Sequence, residues 1–214
     1  MVDIERLFIQ NNDVKLEAEY FQSISNKTSA FLICHPHPQF GGNMWNNVVS
    51  AIFNMLIESD ISCLRFNFRA VGKSTGNHTS GRGELSDVKV CIDFLIEQKS
   101  ISNILICGYS YGAAIGCSAI NYSDKIFAYI AISLPWDFIG SKYKKLTQSD
   151  KPKLFLQGDR DDIAHFNKFE EHYSFYDEPK NYKIINGADH FYRSYESQLA
   201  KKVFKFYKSL INED

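Results

Sequence analysis

The sequence predicts an α/β fold: a mostly parallel sheet covered by helices on both faces, with an antiparallel edge at the N-terminus. Two observations carry this. Short, continuously apolar runs such as Ala30–Cys34 and Ile104–Cys107 have the character of strands buried on both faces. Between such runs lie longer segments with apolar residues at helical spacing, for example Val48, Val49, Ile52, Phe53, Leu56 and Ile57. Their regular alternation is the pattern of a sheet built from crossover units.

Taken in order, Arg6–Gln10 and Val14–Phe21 read as two strands joined by a turn at Asn11-Asn12-Asp13, which supplies the antiparallel edge. Ala30–Cys34 is a strand and Trp45–Glu58 a helix, followed by strand Ser62–Asn67, helix Glu84–Gln98, strand Asn103–Cys107 and helix Tyr111–Asn121. Strands Phe127–Ser133 and Lys153–Gln157, helix Phe166–Phe175, strand Tyr182–Ile185 and helix Glu196–Ile211 complete the chain. The stretch from Leu134 to Pro152 is too short for a separate cap domain. No strand or helix is assigned to it, and its Pro135, Trp136, Phe138 and Tyr143 are expected to form a small apolar rim.

A length of 214 residues suits one domain, 1–214, with a sizeable core. No repeat or low-complexity linker divides it. The 24 basic and 25 acidic residues are interspersed and sum to −1, so no charged footprint for nucleic acid or an anionic membrane is present. No apolar run approaches the roughly 18 residues that span a bilayer. The N-terminal Met1-Val2-Asp3-Ile4-Glu5-Arg6 lacks the pattern of a signal peptide. The five cysteines form no CxxC pair, and four lie in apolar runs. They read as reduced core thiols of a cytoplasmic protein.

In parallel sheets chemistry gathers beyond the C-terminal strand ends. There the chain places Gly108-Tyr109-Ser110-Tyr111-Gly112 between a strand and a helix. Such a turn needs small residues two positions either side of the Ser, and it presents Oγ at a helix N-terminus. The competing reading is a Gly-rich connection whose Ser merely caps the helix. A nucleophilic Ser needs a base and an orienting acid from later strand ends. His190, in Asn186-Gly187-Ala188-Asp189-His190-Phe191, is the base candidate. His165 and His172 fall in a polar helix where exposure is expected, and His78 in a Ser/Thr/Gly-rich loop. For the acid, Asp159, Asp161 and Asp162 share one turn and Asp137 follows the strand before it. Spacing does not separate them.

These residues resemble a known family, the small lidless HPHP-loop α/β-hydrolases, described as predicted serine esterases of bacteria and archaea. The marks are His35-Pro36-His37-Pro38-Gln39-Phe40-Gly41-Gly42-Asn43-Met44, Phe66-Asn67-Phe68-Arg69-Ala70-Val71-Gly72-Lys73-Ser74, Gly81-x-Gly83-Glu84-Leu85-x-Asp87, the Ser110 elbow, Gly158-x-x-Asp161 and Gly187-Ala188-Asp189-His190-Phe191. The resemblance covers nearly the whole chain. It implies an α/β-hydrolase fold without a cap domain, and it places the acid at Asp161. Where the family usually has Gly this chain has Ala70, so a different turn after Phe66–Phe68 is expected.

Acyl transfer also needs two backbone donors for the oxyanion. One is expected from the N–H of Tyr111. The other belongs to the loop after Ala30–Cys34, where Pro36 and Pro38 have no N–H, leaving His37 or Gln39. Alignment of His35-Pro36 with the superfamily's common His-Gly pair favours His37. The competing reading of His-x-His as a metal-ligand spacing lacks a nearby carboxylate, so no metal and no cofactor is expected. Val71-Gly72-Lys73-Ser74-Thr75 lacks the first Gly of a phosphate loop, since position 67 is Asn67, and is not a nucleotide site. Arg69 reads as a hydrogen-bonded tie of its loop, with a substrate role as the alternative.

The expected activity is hydrolysis of short- to medium-chain or aryl carboxylic esters through acyl-Ser110, with Gln39 and Trp136 touching a small-molecule substrate. Thioesterase, peptidase or acyltransferase chemistry on the same triad is the alternative, and a non-enzymatic binding module a further one. Tyr192, Tyr195, Phe204 and Tyr207 near the C-terminus mark a possible homodimer surface, with core packing as the rival explanation.

Overall fold

A computed structural model describes residues 3–211. Eight strands form one sheet in the order β1-β2-β4-β3-β5-β6-β7-β8. They span Ile4–Asn11 (β1), Val14–Phe21 (β2), Ser29–Cys34 (β3), Ser62–Phe66 (β4), Asn103–Tyr109 (β5), Ile126–Ile132 (β6), Lys153–Gly158 (β7) and Lys180–Ile185 (β8). The pairings β1–β2 and β2–β4 are antiparallel and all others parallel. This is the expected parallel sheet with an antiparallel N-terminal edge. Strands β3, β4 and β7 are buried at every position, which is why β3 reads as an unbroken apolar run over Ala30–Cys34.

Helices α1 (Asn47–Glu58) and α6 (Glu196–Ile211) cover one face. Val48, Val49, Ile52, Phe53 and Leu56 of α1 pack there with Leu199, Ala200, Val203 and Tyr207 of α6, against Phe31, Ile33, Leu105 and Ile130. The other face carries α2 (Arg82–Glu97), α3 (Tyr111–Cys117), α4 (Trp136–Leu146) and α5 (Phe169–Ser174), over a second core of Val88, Cys91, Ile92, Leu95, Ile106 and Phe155. Each fully buried Leu, Ile, Val or Phe contributes roughly 1.5–3 kcal/mol. All five cysteines are buried and free. Burial pushes their thiols well up in pKa, which keeps them unreactive. Among the described residues no helix is long and apolar enough to cross a membrane.

Several expectations need correction. Leu134–Pro152 is not a bare loop: it holds α4, whose Gly140 (φ 79°, ψ 158°) interrupts the helix. Trp136 and Tyr143 face the core, and only Phe138 of the proposed rim is well exposed, at 71%. Phe166–Phe175 is a 3-10 turn at Phe166–Lys168 followed by α5, and α3 ends at Cys117. Tyr192 and Tyr207 are core residues, and Tyr195 and Phe204 are half-buried against the same core, so core packing accounts for these aromatics. Ala70 takes φ 62°, the left-handed conformation in which Gly is at ease. The turn after β4 therefore keeps a glycine-like backbone without the glycine.

Candidate active site

Ser110 sits in the turn from β5 to α3 with φ 55° and ψ −118°. This is a backbone conformation L-residues rarely adopt. The flanking glycines make the turn feasible. A Cβ on Gly108 would lie 2.2 Å from the Gly112 carbonyl oxygen, and one on Gly112 would lie 2.3 Å from that of Cys34 and 2.5 Å from that of His35. The small residues are thus required by close backbone approach on both sides of the Ser.

His190, in the loop after β8, brings Nε2 to 2.9 Å from Ser110 Oγ. Its Nδ1 lies 2.9 and 3.0 Å from the two carboxylate oxygens of Asp161, in the loop after β7. A carboxylate only accepts, so Nδ1 carries the proton and Nε2 offers its lone pair to the Ser hydroxyl. All three side chains are buried. Burial alone would push Asp161 up, but hydrogen bonds from His190, Ser133 and the Ala164 N–H outweigh it and hold its carboxyl below the usual range. Tyr109 anchors the base's loop by donating its hydroxyl to the His190 carbonyl at 2.5 Å.

The geometry separates the acid candidates. Asp161 also accepts from the N–H groups of Ile163 and Ala164 at 3.0 and 2.8 Å. Asp159 instead accepts from Gly187 N–H at 2.6 Å, tying the two loops together. Asp162 is exposed, and Asp137 pairs with Lys168 at 3.0 Å. Only Asp161 of the four meets His190.

The loop after β3 is organised by its histidines. His35 is fully buried; its Nε2 accepts from Phe68 N–H at 3.0 Å and its Nδ1 donates to the Pro36 carbonyl at 2.6 Å. Burial lowers its pKa to about 4, so it is neutral at pH 7 and ties this loop to the one after β4. His37 accepts from Gln39 N–H through Nδ1 at 3.2 Å, and its ring lies 4.6 Å from that of Tyr111. Gln39's N–H is therefore engaged, whereas the N–H groups of His37 and Tyr111 donate to no protein acceptor among the described residues. The Gln39 side chain is exposed on the 3-10 turn Pro38–Phe40.

Trp136 does not fit the expected contact with substrate. Its indole is buried, donates to the Tyr176 hydroxyl at 3.0 Å, and stacks on His172 with centroids 5.0 Å apart. His172, expected to be exposed, is half-buried beneath it. His78 lies beside His37, their centroids 5.4 Å apart, and His165 is exposed; neither contacts Ser110. Arg69 ties its loop as expected, holding both oxygens of the buried Asp87 at 3.0 and 2.7 Å.

Residues to which sequence reasoning gave no role at the site complete the surroundings. Ser133, at the end of β6, and Tyr192, two residues after His190, both reach the Asp161 carboxylate network. Phe191 is half exposed, its ring 5.9 Å from His190, and Phe40, 86% exposed, packs 4.9 Å from His37. Their adjacency in sequence to His190 and to the HPHP loop was the available signal.

This fold and constellation define an α/β-hydrolase. A family model described as "Alpha/beta hydrolase domain" matches residues 28–204, and the chain belongs to that family. It is 31% identical over 205 residues to "Uncharacterized protein RP471" of Rickettsia prowazekii (strain Madrid E), covering 92% of this chain and 86% of the relative. An alpha-beta serine hydrolase homologue from Coxiella burnetii is 29% identical with a TM-score of 0.85, covering 96% of this chain and 97% of that one. XC6422 from Xanthomonas campestris, described as an a/b serine hydrolase without lid, shares the fold at 23% identity with a TM-score of 0.81, covering 94% of this chain and 92% of its own. The lidless architecture agrees with a chain that passes from β6 to β7 through one short helix.

Proposed function

We propose that this hydrolase is a serine carboxylesterase that cleaves short- to medium-chain or aryl esters of small molecules through an acyl-Ser110 intermediate. The observation that carries this reading is the continuous chain Ser110 Oγ–His190 Nε2 at 2.9 Å and His190 Nδ1–Asp161 at 2.9 Å. His190 takes the Ser110 proton as Oγ attacks the ester carbonyl. The N–H groups of His37 and Tyr111 receive the oxyanion. His190 then gives its proton to the leaving alcohol, later draws one from a water whose oxygen attacks the acyl carbonyl, and returns it to Ser110 Oγ as the acid departs.

Phe40 and Phe191 flank this centre from its two neighbouring loops and supply apolar surface for acyl or aryl groups. Without a cap domain they leave the site shallow, which suits small esters. The chemistry needs no cofactor. Five buried free thiols suit a reducing compartment, the cytoplasm. Hydrolysis of p-nitrophenyl acetate, butyrate and palmitate tests the chain-length assignment. Faster turnover of acetate and butyrate is expected, and a preference for palmitate contradicts it. Greater activity on acyl-CoA or peptide substrates would move the protein to the thioesterase or peptidase alternative.

A further inference from the structure

The Asp161 carboxylate has a second neighbour besides His190. Ser133 Oγ lies 2.6 Å from Asp161 Oδ2, and the Tyr192 hydroxyl lies 2.6 Å from Ser133 Oγ. The direction of these bonds is fixed by chemistry. An ionised carboxylate accepts only, so Ser133 must spend its single proton on Asp161, and Tyr192 must then be the donor to Ser133. Burial pushes the Tyr192 phenol well up in pKa, so this donor persists across the working pH range.

We infer that Tyr192 and Ser133 form a positioning relay for the catalytic acid, deepening the serine-hydrolase reading on which the inference rests. The relay joins three strand ends: Ser133 follows β6, Asp161 follows β7, and Tyr192 follows β8 two residues beyond the base. It closes on itself, since the loop that carries His190 also supplies the donor that orients His190's partner. Ser133, Tyr192 and Asp161 are all buried, so water does not substitute easily for a lost hydroxyl. Both relay residues hold left-handed backbones, φ 46° at Ser133 and φ 54° at Tyr192. Such conformations persist only where the surroundings enforce them.

The relay does two things. It fixes the carboxylate so that both oxygens face Nδ1, and it draws part of the negative charge away from the imidazole. Removing it leaves more charge on Asp161 facing the ring, which favours the imidazolium. The acid limb of the reaction's pH profile therefore moves to higher pH. The other titratable groups around the ring are Tyr109 from β5, bonded to the His190 carbonyl, and Asp189 on its own loop, whose carboxylate accepts from Phe191 and Tyr192 N–H. Neither is altered by the changes below.

The test is the second-order rate of Ser110 labelling by a fluorophosphonate, measured against pH for wild type, Tyr192→Phe, Ser133→Ala, Ser133→Gly and the double variant Tyr192→Phe/Ser133→Ala. Labelling reads the acid–base pair whatever the natural acyl group. Ser133→Gly accepts the left-handed backbone freely, so an effect shared with Ser133→Ala belongs to the hydroxyl and not to strain. Each single variant is expected to label about tenfold more slowly, far short of the roughly 10⁴-fold loss on replacing an orienting acid. Its acid limb should rise by on the order of half a pH unit, with no further rise in the double variant. Folded Tyr192→Phe and Ser133→Gly proteins with an unmoved limb overturn the relay, even if their rates fall, because loss of packing alone slows labelling without moving the profile. A folded wild type that does not label at any pH defeats the serine-hydrolase reading itself and the relay with it.

Discussion

At Ser110 the backbone holds a conformation with φ 55° and ψ −118°, at a cost of about 1–3 kcal/mol. The surrounding fold enforces it because Oγ must stand clear of the strand and within reach of His190. Ser110→Gly is therefore expected to be more stable than Ser110→Ala by about 1 kcal/mol or more, read from urea unfolding of the two inactive proteins. Equal stabilities would show that the elbow stores no strain. Asp161→Asn, which keeps the shape but offers an amide to Nδ1, is expected to lower kcat/KM by roughly 10⁴-fold with little loss of fold; a loss below tenfold would assign the orienting role elsewhere. The Ser and the His were legible at this scale because each follows a strand and has few rivals. The acid was not legible from spacing, since Asp159, Asp161 and Asp162 share one turn and differ only in which way the chain aims them; only the family resemblance pointed to Asp161. Ser133 was invisible for the same reason: nothing in Ile132-Ser133-Leu134 records that its hydroxyl points at a carboxylate from another strand.

At the scale of elements, ties between loops matter more than the loops' own sequences. Arg69 and Asp87 join the loop after β4 to α2, and the Asp87 side chain is fully buried while Arg69 is only 13% exposed. Removing the guanidinium leaves the buried carboxylate without its counter-charge, held only by Asn11 Nδ2 and the residue 69 N–H, so Arg69→Ala is expected to cost about 3 kcal/mol in urea unfolding; a loss under 1 kcal/mol would show that the pair is dispensable. Elements with strong periodicity were read from sequence with their ends nearly right: α6 occupies Glu196–Ile211 as expected. The failure at α4 has a local cause. Trp136, Ile139 and Tyr143 do recur at helical spacing, but Gly140 breaks the helix between them, and Pro135 and Trp136 read equally well as an apolar rim. That same misreading put Trp136 at the substrate when its indole is committed to Tyr176 and His172.

For the whole molecule, the sheet gathers the ends of β3, β5, β6, β7 and β8 along one edge, and loops from each reach the site. This much followed from the alternation of apolar runs and helical segments, because parallel strands must point their C-terminal ends the same way. The contacts between those loops did not. His35 shows why such contacts also matter for stability. Its pKa falls from 6.5 to about 4 on burial, so the unfolded chain binds the extra proton between those values. Stability is complete above pH 6.5 and is lost as pH falls towards 4, by roughly 3 kcal/mol. A urea midpoint that declines over this range is expected, and a flat one contradicts the buried neutral imidazole. The central claim, that Ser110 is a nucleophile activated by His190, is tested most directly by fluorophosphonate labelling of the folded protein. Stoichiometric labelling at Ser110, abolished in Ser110→Ala and nearly so in His190→Ala, is the predicted result; folded wild type that stays unlabelled would contradict it.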